Sequence, residues 1–194
     1  METQQISTVK GQRASPVPYN IEEHKHRFSA WAAGRAANVI GCRFSVEQAK
    51  TILESAGLNQ LLADPNNLPL PQHIDDNHKE WRGKVIAAAL TQGLNFTHGV
   101  AAKLINIYLK AGFVCGGHHA NARVQALHPP IDSVLLDELY DKNIGGFRTI
   151  WNKARKTRWS KFDSDEYELV IKNIRAALPN QAMWEVEQYW RGYQ

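Results

Sequence analysis

The sequence predicts an all-α fold, and three observations carry that expectation. Helix-start signals recur along the chain, and apolar residues follow them at three- and four-residue intervals. No stretch alternates apolar and polar residues as a half-buried strand would. At 194 residues the chain matches one globular domain, given roughly 150 residues per domain, with some surplus for tails. Its 43% hydrophobic content is enough to bury a core.

Residues Met1 to about Tyr19 are polar with few anchors, and read as a mobile or loosely docked tail before a single domain over residues 20–194. Asn20-Ile21-Glu22-Glu23 has capping-box spacing, and the helix it opens places Phe28, Trp31, Ala32, Arg35 and Ala36 at helical intervals. Ser45-Val46-Glu47-Gln48 is a second capping box. The helix behind it carries Ala49, Ile52, Leu53 and Ala56 on one stripe, with Gly57 as terminator. Asp64 to Pro71 holds three prolines and reads as a loop. A third helix is expected from about Asp75 to Leu90, with Trp81, Val85, Ala88 and Ala89 facing inward. After a short turn over Thr91–Thr97, a fourth runs from His98 to Ala111 before Gly112. Phe113 to Pro130 reads as a long loop. Asp132 opens a helix to about Lys142, Gly145-Gly146 breaks it, and helical patterns resume around Phe147–Lys156, Asp165–Leu178 and Gln181–Arg191.

Several function classes drop out. No apolar run approaches the roughly 18–20 residues of a bilayer span, and the N-terminal stretch lacks the apolar segment of a secretory signal. Cys42 and Cys115 stand alone, without a C-x-x-C pattern. That excludes a disulfide framework, a four-cysteine zinc site and a cysteine-bound iron–sulfur cluster, and makes a reducing, cytoplasmic setting the expectation. His118-His119 beside Cys115 do not form the spaced ligand pairs of a zinc site, so no metal is expected. Neither cysteine has the context of a nucleophile with His98 or His128 as base. The net charge of +4 is compatible with a nucleic-acid partner without requiring one.

The most informative stretch is Trp81–Lys110: a helix, a tight turn, then Gly99-Val100-Ala101-Ala102-Lys103 opening a second helix. Backbone N–H groups at the start of such a helix are a ready phosphate site, although an αα-hairpin that merely packs has the same spacing. Lys103 shares a stripe with Asn106 and Lys110, beside an apolar face of Val100, Leu104, Ile107, Tyr108 and Ala111. A lysine there is ordinarily solvated. To act as a nucleophile it needs burial, or the helix dipole, to lower its pKa from about 10.4. Asp132, after Pro129-Pro130-Ile131, stands where an N-cap belongs; capping also fixes a carboxylate in place.

Gly99-Val100-x-x-Lys103 followed by Pro130-Ile131-Asp132 at a helix start resembles the helix-hairpin-helix DNA glycosylase superfamily, and within it the compact 8-oxoguanine glycosylase branch. The resemblance spans roughly Trp81 to Leu139. Ala101 stands where the motif usually has its second glycine, and the Lys103–Asp132 spacer has the greater length of the compact archaeal-type branch. The resemblance implies a lysine nucleophile at Lys103, a catalytic aspartate at Asp132, and a hairpin gripping backbone phosphate around Thr97, His98, Gly99 and Ala101. It implies no organic cofactor, and allows a monovalent cation at the hairpin.

Arg148, Lys153, Arg155, Lys156, Arg158 and Lys161 fall close together, interleaved with Trp151 and Trp159. A basic run with aromatics suits DNA, and Lys153, Arg155, Lys156 and Arg158 are its candidate phosphate contacts. Phe28, Trp31, Phe147 and Trp151 are candidates to line a pocket for an extruded base, with core packing as the alternative. The expected function is a DNA glycosylase, with associated lyase activity, that excises a modified or damaged base; DNA is the expected partner, with no membrane and no obligate protein. Excision of modified bases from phage DNA, a non-catalytic DNA-binding module and a helical interaction protein are the alternatives.

Overall fold

The computed structural model describes residues 19–193, so the tail expectation lies, Tyr19 apart, outside the described residues. Among the described residues there are helices and turns but no strand, only an isolated bridge between Val39 and Cys42. Helix α1 (Ile21–Ala37) starts where Asn20 caps it, its side chain accepting the Glu23 N–H at 2.9 Å. Its buried face is His26, Ser29, Ala30, Ala33, Gly34 and Ala37. The stripe of Phe28, Trp31 and Arg35 faces outward instead. Small residues win the inner face because α1 must lie close against its neighbours, and bulky rings would hold it away.

Helix α2 (Val46–Ser55) has the reciprocal Ser45–Gln48 capping box that its sequence announces. The proline-rich loop coils into two short 3-10 turns and buries Leu68. Helix α3 (Ile74–Thr91) buries Trp81, Val85 and Ala89, and α4 (His98–Leu109) begins at Thr97, whose hydroxyl accepts the Val100 N–H.

Gly112 does not end the chain's helical course. The backbone continues through wider turns over Lys110–His118, followed by one turn of helix α5 (Ala122–Gln125), where the sequence reads as loop. The reason is packing: a Cβ on Gly112 would sit 2.3 Å from a Leu62 methyl. This glycine permits a close contact rather than a left-handed stop. Helices α6 (Ser133–Asp141), α7 (Arg148–Thr157) and α8 (Ser164–Ala177) follow the expected order, and the last segment is a 3-10 helix over Met183–Tyr189.

Two hydrophobic clusters meet on α4. One joins α1–α3 to Val100, Ala101, Leu104, Ile105 and Tyr108; the other joins α6–α8, Met183 and Val186 to Ala102. Helix α4 is therefore buried on almost every side. The helical course from His98 to His118 is long and apolar enough by composition to cross a membrane, and 67% of its apolar window is buried inside the protein. Its hydrophobicity serves the two cores it separates.

Candidate active site

Lys103 follows Ala101 of one cluster and Ala102 of the other, and so lies at the seam between them. It is 5% exposed. Its Nζ donates to Asp132 Oδ2 at 3.0 Å and sits 5.5 Å from the centre of the Trp159 ring, which packs on the edges of both clusters. Burial pushes the Lys103 pKa down from the ordinary lysine value; the nearby Asp132 and Glu187 carboxylates oppose that shift, and Lys110 adds to it. A lysine so placed is primed to give up a proton more easily than a solvated one.

Asp132 reaches this position as the N-cap of α6. Its Oδ1 accepts the Leu135 N–H at 2.9 Å, which leaves Oδ2 to face Lys103. Two residues that sequence reading passed over complete the site from the C-terminal 3-10 turn. The Trp190 indole N–H donates to the same Oδ2 at 3.0 Å, and Glu187 pairs with Lys110, the residue just past the end of α4. Burial pushes the Glu187 carboxyl up, against the pull of Lys110. Capping logic pointed to Asp132; nothing local marks Trp190 or Glu187, because their partners are far away in sequence.

A cleft of about 650 Å³, lined by the Trp159 and Ser133 neighbours of the ion pair but by neither of its members, runs between the Val39–Cys42 turn and the start of α6. Ser133, Leu136, Trp159, Arg155, Lys156 and Arg158 line it, and at its rim Ile40 stands 90% exposed. Lys156 and Arg158 are exposed and have no ion-pair partner among the described residues. Arg155 is spent locally: it pairs with Asp137 at 2.9 Å and lies over the Tyr140 ring. Lys153, also exposed, lines a different crevice, between α7 and α8, apart from Lys156 and Arg158.

The hairpin itself requires a correction. The Gly99 N–H, expected to meet phosphate, donates to the Phe162 carbonyl at 3.1 Å, and a Cβ there would lie 1.8 Å from the Trp159 carbonyl oxygen. Thr97 donates its hydroxyl to the Ser160 carbonyl, and Ala101 is fully buried. His98 turns inward, where its Nδ1 accepts from Arg82 Nε at 3.3 Å, and burial beside that guanidinium lowers its pKa. Segment 159–162 thus occupies the donors that the motif presents, because this glycine packs against protein backbone.

The expected base-pocket aromatics do not converge. Trp151 is fully buried in the second cluster with its indole N–H on the Ile144 carbonyl, and Phe147 packs against it. Phe28 and Trp31 are 56% and 51% exposed on α1. Of the four, Phe28 alone lies along the Lys103 stripe of α4, where it lines a depression of about 230 Å³ with Ile107 and Lys110.

Behind the site, a buried polar network ties its supporting elements together. Asn106, one turn beyond Lys103, donates to the Pro129 carbonyl and to the Tyr167 hydroxyl, both at 2.9 Å, and accepts from His78 Nε2 at 2.7 Å. Tyr167 in turn donates to His128 Nδ1, whose Nε2–H goes to Asp75. Arg82, 0% exposed, donates to His78 Nδ1, Ser164 and Glu168. Each group is satisfied only if both histidines are neutral, and burial pushes both their pKa values down. The Asn106–Pro129 bond couples the helix bearing Lys103 to the segment bearing Asp132.

Comparison with known proteins returns no matching family model, no matching curated protein and no matching solved structure.

Proposed function

We propose that the protein is a DNA glycosylase with associated lyase activity, acting on a base flipped out of DNA. The observation that carries this reading is the 5%-exposed Lys103 amine held 3.0 Å from the Asp132 carboxylate, beside a cleft whose rim offers Lys156 and Arg158. An exposed surface lysine has no such use; a desolvated one paired to a fixed carboxylate suits nucleophilic attack.

The chemistry follows from the pair. Asp132 draws a proton from the Lys103 ammonium, and the freed lone pair attacks the sugar carbon C1′. The C1′–N bond breaks, its electrons leave with the base, and the departing base takes up the proton that Asp132 holds, which returns the carboxylate to its charged form. The bound nitrogen then loses a proton to Asp132, whose negative charge also offsets the positive charge that builds on the sugar. Asp132 passes that proton to the ring oxygen as the sugar ring opens to an imine. Loss of a C2′ proton then expels the 3′-phosphate and cuts the strand.

The test is an excision screen over duplexes carrying different modified bases, read as released base and strand cleavage. Release of one base by the wild-type chain, and none by Lys103→Gln, is the expected result. Equal release by both would overturn the assignment of the nucleophile, and no release from any duplex would overturn the glycosylase reading.

A further inference from the structure

We propose that Trp190 is the positioning residue for Asp132: its indole N–H holds the carboxylate in the attack geometry once Lys103 has left the ion pair. This rests on the glycosylase reading above. In the resting site Oδ2 accepts two donors, Lys103 Nζ and Trp190 Nε1, both at 3.0 Å, while Oδ1 is fixed by the Leu135 N–H at 2.9 Å. When the amine moves onto C1′, the cap alone would hold the carboxylate at one oxygen and leave rotation about Cβ–Cγ open. The indole supplies a second fixed point on the other oxygen. Two anchors define the carboxylate plane without any help from the lysine.

The placement of Trp190 supports this use. It follows the Met183–Tyr189 turn, packs on the second cluster beside α6, and its own backbone N–H is tied to the Glu187 carbonyl at 2.9 Å. The same turn carries Glu187 to Lys110. The C-terminal segment therefore reaches both the cap of α6 and the end of α4, and its donor belongs to the protein rather than to the substrate. A partly buried indole N–H needs some acceptor. Here the acceptor is the oxygen from which the nucleophile must depart.

Two measurements separate this role from simple packing. In the first, the six tryptophan indole N–H resonances are recorded on 15N-labelled protein, with Trp190→Phe assigning the one of interest. The Trp190 signal should keep its position and slow exchange in Lys103→Gln, and lose both in Asp132→Ala. Fast exchange in Lys103→Gln would show that the indole cannot hold Asp132 alone, and would overturn the proposal whichever base the enzyme removes.

In the second, Trp190→Phe keeps the ring and removes the donor. Base release on the best duplex of the screen should fall by about ten- to a hundredfold, the usual worth of a hydrogen bond to a charged group. Borohydride trapping on a duplex with a preformed abasic site, which needs the amine but no departure of a base, should change less than about twofold. Equal losses in release and trapping, or no loss in either, would overturn the positioning role. Failure of the wild-type chain in both assays would instead overturn the function on which it rests.

Discussion

Lys103 and Asp132 were both legible as residues, but for unequal reasons. An aspartate directly before Ser133-Val134-Leu135-Leu136 is a cap on elementary grounds, and the Leu135 N–H contact follows. The burial of Lys103 was not legible, since its stripe looks like a solvated helix edge until two cores close around it. Trp190 and Asn106 were silent for a related reason: their partners lie 58 and 23 residues away. Asp132→Asn keeps a capping oxygen but turns its amide N–H groups toward Lys103 and Trp190, so it strands the buried ammonium and should lower the melting temperature. Asp132→Ala loses the cap, worth about 1 kcal/mol, and also strands the buried ammonium. Both should slow base release by about 10²–10⁴. Thermal melts and single-turnover rates check this, and equal melting losses for the two variants would contradict it. With Asp132 intact, the rate should rise with pH to a midpoint below that of an ordinary lysine, because burial lowers the Lys103 pKa.

The elements α1 and α7 mark the limits of periodicity as a guide. A 3.6-residue pattern fits both the Phe28–Trp31 stripe and the stripe of small residues on α1; only the tightness of the helix contacts decides between them. On α7 the basic run is real, yet helical geometry divides it between two surfaces. Lys156 and Arg158 form the cationic side of the cleft, and Lys153 belongs to the α7–α8 crevice. DNA affinity measured against salt should therefore distinguish them. The double change Lys156→Ala, Arg158→Ala should flatten the log–log slope by about 1.8, at about 0.9 per phosphate contact, and Lys153→Ala should leave it unaltered. A flattening produced by Lys153→Ala alone would move the DNA face to the other crevice.

At the scale of the whole molecule, the two cores and the neutral network between their helices hold the site together. His78 and His128 have folded pKa values below the ordinary histidine value of about 6.5. The unfolded chain therefore binds protons below that pH which the folded chain refuses. The contribution of the two histidines is complete above about pH 6.5 and is lost as pH falls toward their folded values. Asp75, held well below the usual carboxylate range by His128 and then Arg175, extends the loss to still lower pH. Melting temperature should hold above about pH 6.5 and fall from there to pH 5; a flat profile down to pH 5 would contradict a neutral histidine pair. The all-α class and the helix order were legible because caps and breakers are local signals. The seam was not, since it exists only where α4 separates two clusters assembled from distant segments. The central claim is that chemistry occurs at that seam, through one amine. Its most direct test is to trap the protein with borohydride on a duplex carrying an abasic site and to map the modified residue by mass spectrometry. The account predicts a reduced sugar adduct on Lys103 and no adduct in Lys103→Gln; an adduct on any other amine, or none at all, would contradict it.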